Sequence, residues 1–176
     1  WVSGGADLFQ NAHSQTAIFD PSTLGWRAGP ALLHPRRGHT ATRLGSDRIL
    51  LHGPANVPME QWEPDLTLGA AVSTVTPSAS LNERSAVVLP HGELAGKVIW
   101  AGGSYPIESF APASNLRAGS YSPPSGPPRH GAAAHVLPLL SGELLMVDRA
   151  GCEVGVYQPR TGVYDSSYRI YDHELR

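Results

Sequence analysis

Four short phrases decide how this chain folds: Phe19-Asp20-Pro21-Ser22, Trp62-Glu63-Pro64-Asp65, Phe110-Ala111-Pro112-Ala113 and Tyr157-Gln158-Pro159-Arg160. Each sets an aromatic residue two positions ahead of a proline, with turn-forming residues around it. The aromatic positions lie 43, 48 and 47 residues apart, which is the period of a repeat protein. A second ruler agrees with the first. An arginine opens an apolar run 26 residues ahead of Trp62 (Arg36), 26 ahead of Phe110 (Arg84) and 28 ahead of Tyr157 (Arg129), and the next in the series is Arg176. A third falls between them, where Gly4-Gly5, Gly53-Pro54, Gly102-Gly103 and Asp148-Arg149 each close a strand-like hydrophobic run.

Proline fixes its own φ and cannot donate to a β-ladder, so in every phrase it belongs to the turn after the aromatic strand. Working outward, strands are expected at Thr16 to Phe19 and Gly25 to Ala28, then at His39 to Leu44, Arg48 to His52, Met59 to Trp62 and Leu68 to Val75. The next unit repeats the count with Ser85 to Leu89, Lys97 to Ala101, Glu108 to Phe110 and Asn115 to Tyr121. The proline-rich stretch Ser122 to Pro128 reads as a stiff crossing between repeats. The last unit gives Ala132 to Leu137, Glu143 to Val147, Glu153 to Tyr157 and Val163 to Tyr168. Trp1-Val2-Ser3-Gly4-Gly5 matches Ile99-Trp100-Ala101-Gly102-Gly103, so the sequence opens in mid-repeat.

Composition fits this reading. Nineteen Gly and 16 Pro against three Phe and two Met favour many short strands and turns over long helices. A net charge of -2, with no basic cluster beyond Pro35-Arg36-Arg37, gives a nucleic-acid partner little footing. No apolar run is long enough for a membrane-spanning helix. Cys152, the single cysteine, cannot form an internal disulfide and leaves the compartment unread. Lys97 is the sole lysine among 13 basic residues, a bias typical of GC-rich genomes, which leans toward a bacterial, secreted or surface protein.

A unit of about 45 to 50 residues and four strands is the size of a propeller blade. The residues resemble kelch repeats, most closely in Phe19-Asp20-Pro21-Ser22-Thr23 followed by Trp26, in Pro35-Arg36-Arg37-Gly38-His39, and in the Gly4-Gly5 and Gly102-Gly103 pairs. The resemblance implies an all-β fold, a β-propeller sector of about three and a half four-stranded antiparallel blades. The blades would run over residues 1–35 (partial), 36–83, 84–128 and 129–175. Gly53-Pro54 and Asp148-Arg149 depart from the double glycine, and the aromatic seven residues on, present as Trp26 and Tyr164, is replaced by Gly69 and Arg117. Glycine suits a strand end that needs positive φ, and large aromatics, each burying about 150 to 250 Å², suit the wedge between sheets. Propellers close with about 4 to 8 blades. The expectation is therefore a sector of a longer propeller, with self-association into a completed ring as the other possibility.

In kelch-like propellers the loops at the channel mouth form the usual binding surface. By resemblance that face would carry Arg36, Arg84 and Arg129, with loops around His13, Glu60 and Tyr105. Converging guanidinium groups suit a carboxylate or phosphate. A plainer reading has each arginine tying neighbouring strands together through carbonyls or a carboxylate. His34 and His39, and His130 and His135, are five apart, so extended chain sends each pair to opposite faces. No metal-ligand motif appears, and no cofactor is expected. Some kelch-like propellers are copper radical oxidases using Cys, Tyr and His, but Cys152 and Tyr157 sit in no recognisable version of that motif. Glu60, Glu63 and Asp65 have the chemistry for acid-base work but cluster at a turn, where carboxylates ordinarily face water.

Nothing here demands an enzyme. The expected function is a kelch-like scaffold that binds a protein, or a small anionic or carbohydrate ligand, through loops on one face. The alternative is the propeller part of a carbohydrate-active or oxidising enzyme with catalytic residues partly outside this chain. Convergent acids, tyrosines or histidines in a deep pocket would favour the enzyme, and a broad shallow rim would favour binding.

Overall fold

The computed structural model describes residues 1–54, 57–63, 65, 69–71, 85–92, 94–101, 107–112, 119–125, 135–147 and 154–168. All regular structure in them is β: fifteen strands in four small antiparallel sheets, each built from strands consecutive in the chain. The chain divides into two compact units, Trp1–Asn82 with Ala113–Gly119, and Glu83–Pro112 with Ser120–Arg176.

The first unit holds two sheets. One has three strands in the order β1 (Val2–Ser3), β2 (Thr16–Asp20) and β3 (Gly25–Ala28). The other has four, β4 (Thr40–Arg43), β5 (Ile49–His52), β6 (Glu60–Trp62) and β7 (Gly69–Ala71), also in chain order. Alternation explains which residues turn inward: Thr42 is buried between exposed Ala41 and Arg43, while central β5 is covered on both faces and reads as continuous Ile-Leu-Leu. Leu32, Leu51 and Trp62 form one core cluster of this unit, with Trp1, Ile18 and Ile49 packed against them. The Trp62 indole lies across Gly69, where a Cβ would sit 2.5 Å from the ring. That explains why the expected second aromatic is a glycine here.

The second unit holds two four-stranded sheets. The third sheet runs β11-β10-β9-β8, from β8 (Ser85–Val88), β9 (Val98–Ala101), β10 (Ile107–Pro112) and β11 (Gly119–Ser125). The fourth runs β12 (His135–Pro138), β13 (Leu144–Val147), β14 (Val154–Gln158) and β15 (Val163–Tyr168). Leu89, Ile99 and Ile107 from the third sheet meet Val136, Leu144, Met146 and Tyr157 from the fourth in one core. Complete burial of an apolar side chain of this size is worth about 1.5–3 kcal/mol, so these few contacts dominate what holds each pair of sheets together.

The turns follow from local chemistry. Leu44 N–H donates to Arg48 O and Asp47 N–H to Leu44 O, and Leu139, Glu143 and Gly142 repeat the pattern in β12–β13. The bulge residue takes a left-handed conformation, φ 64° at Asp47 and 87° at Gly142. These are three-residue hairpin loops with a bulge, and Asp and Gly are among the residues that tolerate that conformation. The glycine ruler has the same cause: Gly4, Gly5 and Gly53 all lie at positive φ. A Cβ on Gly4 would meet Arg36 O at 2.4 Å, so the strand end needs the bare backbone as well.

One strand differs from expectation. β11, Gly119–Ser125, continues past the expected end at Tyr121 and takes in Pro123 and Pro124, while 115–118 of the expected strand lie outside the described residues. It lies at the edge of its sheet, the place in a sheet where proline is tolerated. Pro112 likewise ends β10 instead of entering a turn.

Candidate functional site

Two places gather polar side chains. The first is built around Arg36 in the first unit, where a glycine-rich strand end, a loop and a strand meet. Arg36 pairs through its backbone with His13: Arg36 N–H donates to His13 O at 2.9 Å, and Gly5 N–H donates to Arg36 O at 2.8 Å. This short ladder fixes the residue so that its side chain enters the protein. The guanidinium donates to the carbonyls of Gly53 and Pro58 in the β5–β6 connection and to Glu60 Oε1 at 2.9 Å. Both partners of the ion pair are fully buried.

Glu60, at the start of β6, accepts from more than Arg36. Its Oε2 receives Trp62 Nε1–H at 3.1 Å and Leu33 N–H at 3.2 Å, and its Oε1 receives His34 N–H at 2.9 Å. Burial alone would push its carboxyl upward, but the Arg36 charge and these hydrogen bonds hold it below the ordinary carboxylate range. It is therefore an anion inside the protein, with every contact a donor. His39 lies beside this group and shares a 2.9 Å hydrogen bond with Ser3 Oγ. Burial and the Arg36 charge lower the pKa of His39 despite an opposing pull from Glu60, and its Nδ1 is buried without a partner. At neutral pH the imidazole is uncharged.

The second place is a cleft of about 420 Å³ in the second unit. It is bounded by the β8–β9 loop, the β12–β13 turn and the β14–β15 turn. His91, Ser141, Glu143, Gln158, Arg160 and Thr161 give it polar groups, and Leu94 and Pro159 add apolar wall. Two contacts order its rim: Ser141 Oγ–H donates to Glu143 Oε2 at 3.1 Å, and Thr161 Oγ1–H to Gln158 Oε1 at 3.1 Å. Carboxylate and guanidinium stand in the same cleft, so their charges offset each other. The lining offers both donors and acceptors, which suits a ligand rich in hydroxyl groups.

Of the residues singled out from the sequence, Arg36, Glu60 and His13 are brought together, with the polar groups of Arg36 and Glu60 engaged by the protein itself. Arg84, Arg129 and Tyr105 lie outside the described residues, as does Cys152. The cleft residues were not singled out. They come from three loops at one end of their strands, and only the Gln158-Pro159-Arg160 phrase marked any of them beforehand. Among the described residues no three His, Cys, Asp or Glu side chains stand close enough to hold a metal ion, and no helix is long and apolar enough to cross a membrane.

No protein-family model matches the chain, and no curated protein matches it. Among solved structures it is similar to a fungal alcohol oxidase of the AA5 family in complex with copper, with a TM-score of 0.47 and 8% sequence identity. The match covers 96% of this chain and 53% of that one, so the chain spans about half the length of the oxidase.

Proposed function

We propose that the chain is a sector of a kelch-like β-propeller, with blades over 1–35, 36–83, 84–128 and 129–175, and that it works as a binding scaffold for a small carbohydrate-like ligand. The observation that carries the binding role is the cleft of about 420 Å³ between the hairpin turns of the second unit, which lies in the usual range for small-molecule sites. Its mixed charge argues against a dedicated phosphate site and for a neutral polyhydroxylated group. Gln158, Ser141 and Thr161 offer hydroxyl and amide groups, while Arg160 and Glu143 fix orientation through charge-assisted hydrogen bonds.

In this reading the sequence-marked residues divide by role. Arg36 and Glu60 hold the β5–β6 connection in place, and His13, Arg84, Arg129 and Tyr105 are proposed to take part in ligand binding. Titration calorimetry with a panel of neutral oligosaccharides and their carboxylated counterparts tests the proposal. A neutral member should bind, and Arg160→Ala and Glu143→Ala should each weaken it by about tenfold. Absence of binding across the panel, or affinity indifferent to both substitutions, overturns the cleft as the site.

A further inference from the structure

Two neighbouring side chains in the cleft of the second unit are each held by a hydroxyl. Leu144 and Tyr157 close the β13–β14 ladder, so the next residues outward, Glu143 and Gln158, stand side by side at its open end. Residues directly opposite each other in an antiparallel pair have Cβ atoms about 4.5–5.5 Å apart. A carboxylate and a primary amide are thus neighbours in the lining of one cavity.

The hydroxyls come from the adjoining turns. Ser141 Oγ–H donates to Glu143 Oε2 at 3.1 Å, which leaves Oε1 with no hydrogen-bond partner among the described residues. Thr161 Oγ1 accepts Val163 N–H at 3.4 Å, so its own proton goes to Gln158 Oε1, 3.1 Å away. That contact decides which way round the amide sits. With its oxygen taken by Thr161, Gln158 offers its NH2 group on the other side, where it has no partner among the described residues. The turn itself is fixed by its backbone, since Thr161 N–H and Gly162 N–H donate to Gln158 O at 3.3 and 2.9 Å.

The result is one open acceptor beside one open donor. A hydroxyl group both donates and accepts, so one hydroxyl, or two on neighbouring carbons, satisfies the pair. A ligand carboxylate would be repelled by Glu143, and an ammonium group has no lone pair for the Gln158 NH2. A site built to hydrogen-bond a hydroxyl discriminates strongly against the analogue that lacks it, because its own polar groups are then left unpaired.

We infer that Glu143 and Gln158 read a pair of adjacent hydroxyl groups on a neutral sugar, and that Ser141 and Thr161 are positioning residues that set this acceptor and donor. The inference rests on the carbohydrate reading of the cleft and narrows it from hydroxyl-rich ligands in general to those with a free vicinal diol. It also assigns a distinct part to Thr161. Without that hydroxyl the amide can turn over and set its oxygen beside the carboxylate. Two adjacent acceptors suit an amino sugar, whose ammonium only donates.

Titration calorimetry with neutral trisaccharides of glucose, galactose, mannose and xylose is the test, followed by the monodeoxy and monoamino derivatives of whichever binds, at a pH where the amine is charged. In the wild type, loss of either of two adjacent hydroxyls should weaken binding roughly tenfold, and loss of any other less than about threefold. Thr161→Val should weaken the parent sugar roughly tenfold and shift preference toward the amine at one of those two positions. Thr161→Ser keeps the hydroxyl and should behave as the wild type. The side chain is exposed, and circular dichroism checks that both variants keep their sheets. If Thr161→Val lowers affinity for every derivative by the same factor, or changes nothing, the inference is overturned. It is overturned equally by a deoxy series without an adjacent sensitive pair while Glu143→Ala and Arg160→Ala still weaken binding, and the cleft then remains the ligand site. No binding by any trisaccharide overturns the carbohydrate reading and this inference together.

Discussion

Phe19 faces Trp26 across β2 and β3, with ring centroids 5.2 Å apart, and Tyr157 faces Tyr164 across β14 and β15 in the same register. The first pair is open to solvent, whereas Tyr157 belongs to a core. Strand pattern, spacing and turn are nearly the same, so local sequence does not decide the outcome. What decides it is whether another sheet precedes: Tyr157 has Ile99 and Ile107 to pack on, and Phe19 has none among the described residues. An aromatic pair of this kind is a connector first, and it becomes core only when its partner sheet is there.

The largest expected effect tests this directly. Tyr157→Ala should cost about 3–5 kcal/mol, because it empties a filled core site. Phe19→Ala should cost less than about 1 kcal/mol, as for a surface substitution. Urea unfolding of both variants reads the difference, and equal losses would mean that the cross-strand pair, not the sheet beneath it, carries the energy.

Next comes the residue under the ring. A Cβ on Gly155 would lie 2.2 Å from the Tyr164 ring, whereas the equivalent position on β2 is already Ala17. Gly155→Ala should destabilise by about 1–3 kcal/mol through overpacking. Ala17→Gly should cost about 0.5–1 kcal/mol, through chain entropy alone. Matched losses would show that Tyr164 readily swings aside.

The turns sharpen the comparison further. Loops of four residues join both hairpins, and their last residue is left-handed: Leu24 at φ 52° in one, Gly162 at φ 71° in the other. Glycine is at ease there and leucine is strained. Leu24→Gly should therefore raise stability by up to about 1 kcal/mol, and Gly162→Leu should lower it by about 1–2 kcal/mol. Thermal melts of the two variants moving in the same direction would refute the equivalence of the turns.

The smallest effects are in pH, and they arise in the first unit. His39 is favoured in its neutral form, so its contribution is complete above its ordinary value of 6.5 and is lost as the pH falls below it. Glu60 is favoured as a carboxylate, so its contribution is complete above its ordinary value of 4.5 and is lost on further acidification. Melting temperature should decline in two stages, and His39→Gln should flatten the first and leave the second. A flat profile between about pH 7 and 5 would contradict the burial of His39.

Much of the fold was legible because it is written in short-range chemistry. The Ile49-Leu50-Leu51 run, with Gly45-Ser46-Asp47 before it, announces a hairpin, and the structure has β4 and β5 there. The far end of β11 is not legible, because Pro123 and Pro124 signal a crossing in sequence and only the sheet order reveals that the strand is an edge. The site was legible in part. Arg36 and Glu60 could each be named, but they lie 24 residues apart and their pairing depends on how the β5–β6 connection folds back. The cleft was legible only through its Gln158-Pro159-Arg160 phrase, since His91, Ser141 and Gln158 converge only after two sheets have packed. Exposure of Phe19 was equally hidden, because burial belongs to the neighbour and not to the residue.

The prolines of β11 have a further effect on how the molecule meets others of its kind. A free strand edge invites another backbone to continue the sheet, the route by which β-rich proteins coalesce into fibrils. Successive N–H groups of a strand point to opposite edges, so of the adjacent Pro123 and Pro124 one leaves a gap in the hydrogen-bond ladder of an incoming strand. Addition of a further strand is disfavoured at that border of the third sheet.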